Sequence, residues 1–354
     1  MVKKILPKKP AGFDYFIEQN KNIQWSNTFR LIARLVLLLV LFSILSPGLL
    51  AAQTREETST STGLKEFYLT ASPAFQLGSA VNGGGTLSVN SLYVSGGFLQ
   101  QINEKFGIGL GLLYNLHDFR FSGVNAIPLA DPWDTVLRYG VAIPLVYSIS
   151  DQWRLIVIPI GQFSGETGAK WGSSLVYGGV ASINYNWGKA NFIGVGVGVF
   201  QNIAETDAFP YLNINWHITD RWRLSNPLES SPAGPGGLQL AYGLTPHWEI
   251  GIAGAYRFNR FRLDKNGSLP NGIGQYSQLP VVGNITYTYS LLSLTAYGGI
   301  AFNNKLWMED SKGNGIYRAD QKPAPLVGVN LTLGVEPTQL RAQPWQINAF
   351  RSFF

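Results

Sequence analysis

Cysteine is absent from the 354 residues, methionine occurs twice and histidine three times. With no thiol there is no disulfide scaffold, no thiolate nucleophile and no cysteine-ligated metal site. His117, His217 and His247 fall in no HExxH, Ser/His/Asp or comparable pattern, so no catalytic or metal site is expected. The pair His117 and Asp118 in LHDF (116–119) is the nearest to a reactive arrangement, but neighbours in a strand point to opposite faces. The glycine runs GIGLG (107–111) and GVGVG (194–198) alternate within apparent strands and read as lumen-facing or curvature positions rather than phosphate loops. No enzyme and no cofactor are expected.

Charge is scarce as well. Asp, Glu, Lys and Arg make up 14% of the chain, against about 25% in ordinary soluble domains. The formal net charge of +6 does not imply a nucleic-acid partner, because residues 1–52 hold seven Lys/Arg against two acids, leaving 20 basic and 19 acidic residues elsewhere. The basic excess belongs to a leader. There Arg30 and Arg34 precede the apolar run 35–45, LVLLLVLFSIL, followed by SPG and LLAAQ. This is the order of an export signal, with cleavage expected after Ala52; an uncleaved anchor spanning 31–52 is the alternative. Residues 53–65 read as a disordered linker, poor in apolar side chains.

Beyond residue 66 a second long apolar run is missing, and so is any sustained 3.6-residue period. What is present is alternation by two. PLVGVNLTLGV (325–335) sets Val327, Val329, Leu331, Leu333 and Val335 against Gly328, Asn330, Thr332 and Gly334, and VVGNITYTYS (281–290) and FPYLNINWHI (209–218) alternate in the same way. The strands run about 10 to 16 residues, whereas a soluble strand averages about 5 to 6 and a tilted membrane-spanning one needs about 9 to 11. Short turns fall near 103–105, 150–152, 188–190, 219–221, 245–247 and 290–291. Longer connections fall near 78–85, 122–134, 164–170, 204–208, 227–236, 264–277 and 303–322. Thirteen connections make fourteen strands, or twelve if the shortest, near 222–226, and a neighbour fail to form. The pattern predicts an all-β, transmembrane, antiparallel up-and-down barrel over 66–335, with residues 336–354 as a tail.

Three near-copies of one motif fix the inside and the outside. They are YSISDQWRL (147–155), WHITDRWRL (216–224) and YGLTPHWEI (242–250). Folded about their central turns, they place Tyr147, Trp153, Trp216, Trp222, Tyr242 and Trp248 on the lipid face beside the short turns, where an aromatic girdle belongs. The opposite parity aims Arg138, Arg154, Arg223 and Arg257 into the lumen, with Glu249, His217, Asn213, Asn215, Asn184, Asn186 and Thr286. Four Arg to one Glu would favour anions in a water-filled lumen; pairing of the Arg with Glu249 or loop acids is the other reading.

The export leader, the periodic strands and the hairpins W-x-I-T-D-x-W-x-L and Y-x-L-T-P-x-W resemble an uncharacterised, porin-like family of bacterial outer-membrane barrels known as a domain of unknown function, over roughly 65–335. The resemblance implies fold and location, and carries no solute and no functional residue. One departure is the end of the chain, where Pro337 and Pro344 interrupt the terminal strand such barrels usually finish on. The expected function is a passive channel for small solutes in the bacterial outer membrane; the alternative is a structural or adhesive barrel using the loops at 122–135 and 303–322. Its expected partners are the lipid bilayer and the outer-membrane assembly machinery, with a monomer favoured and no nucleic acid.

Overall fold

A computed structural model describes residues 64–123, 132–187, 191–226 and 237–335. The leader, the linker up to residue 63, the tail, most of the loop expected at 122–134, the turn at 188–190 and the loop at 227–236 lie outside them.

Seventeen hydrogen-bonded segments form one sheet, and three pairs of them continue each other across breaks at 143–144, 255–256 and 322–323. Fourteen strands result. They are β1 Leu64–Ala80, β2 Thr86–Gln101, β3 Phe106–Ser122, β4 Thr135–Ala142 with Leu145–Ser148, β5 Trp153–Glu166, β6 Leu175–Trp187 and β7 Asn191–Gln201. The second half is β8 Thr206–His217, β9 Trp222–Ser225, β10 Leu238–Gly243, β11 Trp248–Gly254 with Arg257–Arg262, β12 Ile273–Tyr289, β13 Leu292–Glu309 and β14 Gly315–Gln321 with Ala324–Val335. Each pairs antiparallel with its neighbour, and β14 returns to β1 through Leu69↔Leu333 and Phe75↔Val327. Closure matters because an open edge would leave backbone polar groups bare in lipid.

The motif hairpins take the expected register, Tyr147 opposite Leu155, Ser148 opposite Arg154, Arg223 opposite His217 and Gly243 opposite Glu249. Their Ser150, Thr219 and Thr245 hydroxyls accept from the backbone N–H of Trp153, Trp222 and Trp248 and close the turns. Around them runs the aromatic girdle. Trp153 lies 5.0 Å from Tyr185, Trp222 4.9 Å from Tyr242 and Trp248 4.9 Å from Tyr287. A second outward cluster, Tyr139, Phe163 and Trp171, stacks at 4.9 and 5.2 Å near the other end. From Trp153 to Phe163 is ten residues of one strand, about 25 Å along the axis at a tilt of about 40°. Between the two clusters the outward face is apolar and exposed, as at Ile183, Val195, Val197, Leu240, Ile252 and Leu294. Water would not tolerate such a surface; a bilayer's hydrocarbon matches it.

The long-loop end departs from expectation. The connection expected at 303–322 is a hairpin in which β13 runs to Glu309 and β14 starts at Gly315, leaving only a short turn. Charged residues from Lys305 to Asp320 concealed that strand pair, which stands above the apolar band, where outward charges carry no lipid penalty. A bulge between Ser277 and Leu279 on β12 and Phe302 and Lys305 on β13 also shifts the register. It turns at Asn303, whose φ of 50° suits asparagine. Outward parity therefore passes from even to odd residues along β13. The expected strand length fails at β9 and β10, four and six residues long, although both are formed.

Those short strands change the wall. Above Gly254, β11 leaves β10 and reaches β5, where Arg262 pairs in parallel with Gly165. Ser164 donates its hydroxyl to the Arg260 carbonyl at 2.8 Å, and Glu166 accepts from the backbone N–H of Asp134 and Asp264 at 3.0 and 2.8 Å. Nine strands, β11 to β14 and β1 to β5, thus close a narrower ring above the fourteen-strand barrel. The ends of β6 to β8 stay outside it and lean over its outer surface, where Val176 and Ile203 pack with Ile273.

Candidate functional site

The lumen has three layers. At the short-turn end the inward faces of β5 to β8 supply a polar belt. Asn213 Nδ2 donates to Asn184 Oδ1 at 3.0 Å, Asn184 Nδ2 donates to Ser182 at 3.1 Å, and Arg154 Nε donates to Ser148 at 3.4 Å. Asn184, Asn213 and Asn215 are each 1–2% exposed. The side-chain oxygens of Asn186, Asn213 and Asn284 have no hydrogen-bond partner among the described residues. Continuous with the belt on β5 and β7, Ile156, Ile158, Ile160 and Phe192 pack with Tyr68 and Leu113, so part of this layer is apolar.

In the waist stand Arg138 and Arg257. Arg138 donates to Gln162 and to Asn259 at 3.2 and 3.4 Å; Arg257 donates to the Tyr93 hydroxyl at 3.0 Å, its guanidinium 4.8 Å over the Tyr93 ring. His117 bonds Ser91 at 2.9 Å, while Asp118 faces outward and pairs with Arg120 at 2.8 Å. The two neighbours in LHDF are thus on opposite faces, and no dyad forms. Above them, the Tyr276 hydroxyl accepts from Gln76 and donates to Gln321, at 2.7 and 3.0 Å.

The third layer is a plug inside the nine-strand ring. Phe119 lies 5.8, 6.1 and 5.5 Å from Trp133, Phe261 and Tyr276, and Trp133 lies 5.3 Å from Phe261. Leu87, Val89, Val136, Leu306 and Met308 complete it, all at most 4% exposed. Every strand of the ring except β5 contributes or adjoins a member, and none comes from β6 to β10.

The residues named from sequence fall in two of these layers. Arg154, Asn213 and Asn215 share the belt, and Arg223 with Glu249 and His217 stands at the short-turn mouth. Arg223 is not a free lumen charge: both Glu249 oxygens accept from it, at 2.7 and 2.9 Å. His217 bonds Asn191 at 3.1 Å and is exposed. Arg138 and Arg257 lie in the waist, apart from the belt. The plug was missed. Its signal lay in the inward positions of β3, which run Gly107, Gly109, Gly111, Leu113, Asn115, His117 and Phe119, from empty to full along one strand.

Missed too was an outward site on β11. Arg260 points out of the ring yet is 6% exposed, because the β7–β8 turn covers it. Its Nη1 reaches Glu309 Oε1 at 3.0 Å and its Nη2 reaches Glu309 Oε2; Nε donates to the Ile203 carbonyl at 2.8 Å and lies 3.2 Å from Glu205. Beside it opens a cavity of about 680 Å³, lined by Asp207, Phe258, Gln275, Trp307 and Arg318 among others. Among the described residues no cluster of His, Cys, Asp and Glu could hold a metal ion.

Closed strand pairing, a lipid-facing apolar band and a polar interior define a transmembrane β-barrel of porin-like build. Within that class, the chain belongs to the family described as Domain of unknown function (DUF6268), which matches residues 133–336, from the plug tryptophan to the end of β14. No curated protein matches the chain. Among solved structures it is similar to the COG4313 outer membrane channel from Pseudomonas putida F1, at 10% identity and a TM-score of 0.43, over 80% of this chain and 100% of that one. It is also similar to the Pseudomonas putida toluene transporter TodX, at 9% identity and a TM-score of 0.35, over 77% and 90%. A third is the NanC porin, at 8% and 0.33, over 75% and 98%. At such scores and identities none of these likenesses bears on solute or mechanism.

Proposed function

We propose that the protein is a channel of the bacterial outer membrane that passes small solutes passively, reaching that membrane by export, with the short turns on the periplasmic side. The observation that carries this reading is the belt of buried amides on β6 to β8, whose oxygens at Asn186 and Asn213 find no hydrogen-bond partner among the described residues. Buried polar atoms that lack a partner call for water, and a hydrated belt inside a closed barrel is what a conducting lumen requires. The Arg residues tune the traffic. Arg138, Arg154, Arg223 and Arg257 stand on the inward face with one acid among the residues named there, Glu249, which pairs with Arg223, and we read this excess of Arg as a mild preference for anions.

Planar-bilayer conductance of the refolded full chain tests this. Stepwise currents with a reversal potential on the anion side are expected; no current at any voltage would sink the channel reading. Neutralising Arg138, Arg154 and Arg257 together should erase the anion preference, and an unchanged reversal potential would remove those residues from the account.

A further inference from the structure

One carboxylate reaches two pieces of the plug. Glu166, the last residue of β5, accepts from the backbone N–H of Asp134 through Oε1 and from that of Asp264 through Oε2, at 3.0 and 2.8 Å. Those two residues directly follow Trp133 and Leu263, and both of these side chains are plug members, each 2% exposed. Trp133 stands before β4 begins at Thr135, and Leu263 stands after β11 ends at Arg262, so both lie just beyond the strand ladders. The wall beside them has the fewest backbone pairs of any junction in the ring. Neighbouring strands elsewhere pair through antiparallel ladders, whereas β5 meets β11 through one parallel bridge and the Ser164 bond to the Arg260 carbonyl. Lower down, β5 pairs with β6 and β11 with β10, so parting the two strands at the seam leaves the fourteen-strand barrel closed. Trp133 favours the parting. Its indole N–H is buried with no hydrogen-bond partner among the described residues, a deficit that water removes once the indole swings out.

We propose that the nine-strand ring is a gate that opens at this seam, with Glu166 as its latch. When its two bonds break, β5 parts from β11, Trp133 and Leu263 leave the plug, and the lumen opens at the long-loop end. Plug members on the ladders, such as Phe119, Tyr276 and Leu306, stay in place. Glu166 lies three residues beyond Phe163 of the outer aromatic cluster, above the hydrocarbon, so water takes over the freed carboxylate and N–H groups. Opening thus exchanges a few protein bonds for water bonds, as local openings of folded proteins do. Glu166 is a positioning residue: it bears on a solute only through Trp133 and Leu263. The latched state is the resting one, and current passes in openings.

The proposal rests on the channel reading, and labelling separates the two. The sequence has no cysteine, so an introduced thiol reports alone. In proteoliposomes of the full chain, a charged methanethiosulfonate reagent added from the long-loop side should modify Met308→Cys slowly, since Met308 is a plug member only 1% exposed. Glu166→Ala should speed that reaction at least tenfold, and Glu166→Gln, which keeps one acceptor oxygen, should speed it less. Trp153→Ala, at the far end of the same strand, should leave it within twofold. In planar bilayers Glu166→Ala should lengthen the open time several-fold. A short bifunctional methanethiosulfonate joining Glu166→Cys to Asp264→Cys should silence the current until reductant cleaves it. Labelling of Met308→Cys unchanged by both Glu166 variants, equal acceleration by Trp153→Ala, or a current that survives the cross-link would overturn the proposal. The expected labelling order in a protein that carries no current would keep the latch and remove the channel.

Discussion

The two ends of this barrel obey different rules. At the short-turn end lipid dictates the outside and repeated turns dictate the register, and the result is fourteen regular strands with tryptophan and tyrosine where headgroups lie. At the long-loop end no bilayer constrains the wall, and it behaves like a small soluble barrel: nine strands, a dry aromatic core, and ion pairs on the outer face. One chain thus changes solvent partway along its strands, and its stabilising contacts change with it. Above the outer aromatic cluster they resemble those of a globular core; below it they are backbone pairing and side chains in lipid.

Substitutions can break that contrast, beginning with the largest effect. Arg260→Ala would leave the half-covered Glu309 carboxylate without its bidentate partner and expose the Ile203 carbonyl, costing about 3–5 kcal/mol as the loss of one member of a buried pair does. Arg260→Lys should recover only part, since an ammonium cannot reproduce the fork. Both are read from the urea midpoint of heat-modifiable gel mobility. Next, Trp133→Ala empties the centre of the plug and should cost about 3 kcal/mol, by the usual penalty for a large aromatic cavity. Trp153→Ala in the short-turn girdle should cost about 1 kcal/mol, because lipid refills the space. Equal effects at Trp133 and Trp153 would mean that the plug is not a packed core. Glu249→Gln, whose partner Arg223 is a quarter exposed, should leave stability within about 1 kcal/mol yet shift the reversal potential further toward anions. The smallest effect concerns the turn after β13. Asp310 accepts from the side chain and backbone of Asn314 and from backbone N–H groups, which hold its carboxyl below the ordinary 3.8. A group with a depressed folded value stabilises above its unfolded pKa and loses that as pH falls through the folded one, so the turn should resist tryptic cutting at Lys312 unchanged from pH 8 to 5.

How much was legible in the sequence follows from the same contrast. Strand count, register at the motif hairpins and the inward parity of Arg154, Asn213 and Glu249 could be read because lipid and water impose a strict period of two. Above the band that discipline lapses. Charged residues such as Lys305 and Asp320 can point outward from a genuine strand, so 303–322 looked like a loop, and the bulge at Asn303 reversed the parity that would have revealed it. Arg260 and Arg262 alternate with Phe261 as any exposed strand would, and only distant segments make them buried, the β7–β8 turn over Arg260 and the carbonyls of Ser173, Asn271 and Ser311 around Arg262. The plug depends on contacts between residues far apart, such as Phe119 with Phe261, which no local period records. The Arg–Glu pairing at the short-turn mouth was one of two open readings; the structure places Glu249 on Arg223, and gives Arg138 bonds to Gln162 and Asn259 and Arg257 a bond to Tyr93.

The bridge between Gly165 and Arg262 bears on how the molecule is made. Its flanking bond, Ser164 to Arg260, joins residues 96 positions apart, a loop whose closure costs about 4 kcal/mol in chain entropy. It cannot form until the five strands between them have been laid down and β11 has arrived, so the ring is a late event in assembly. Until then β5 and β11 each carry a bare edge, the feature that invites mispairing. The seam lies above the aromatic cluster, where water can serve those edges while they wait; a few residues lower, in hydrocarbon, the same delay would be prohibitive.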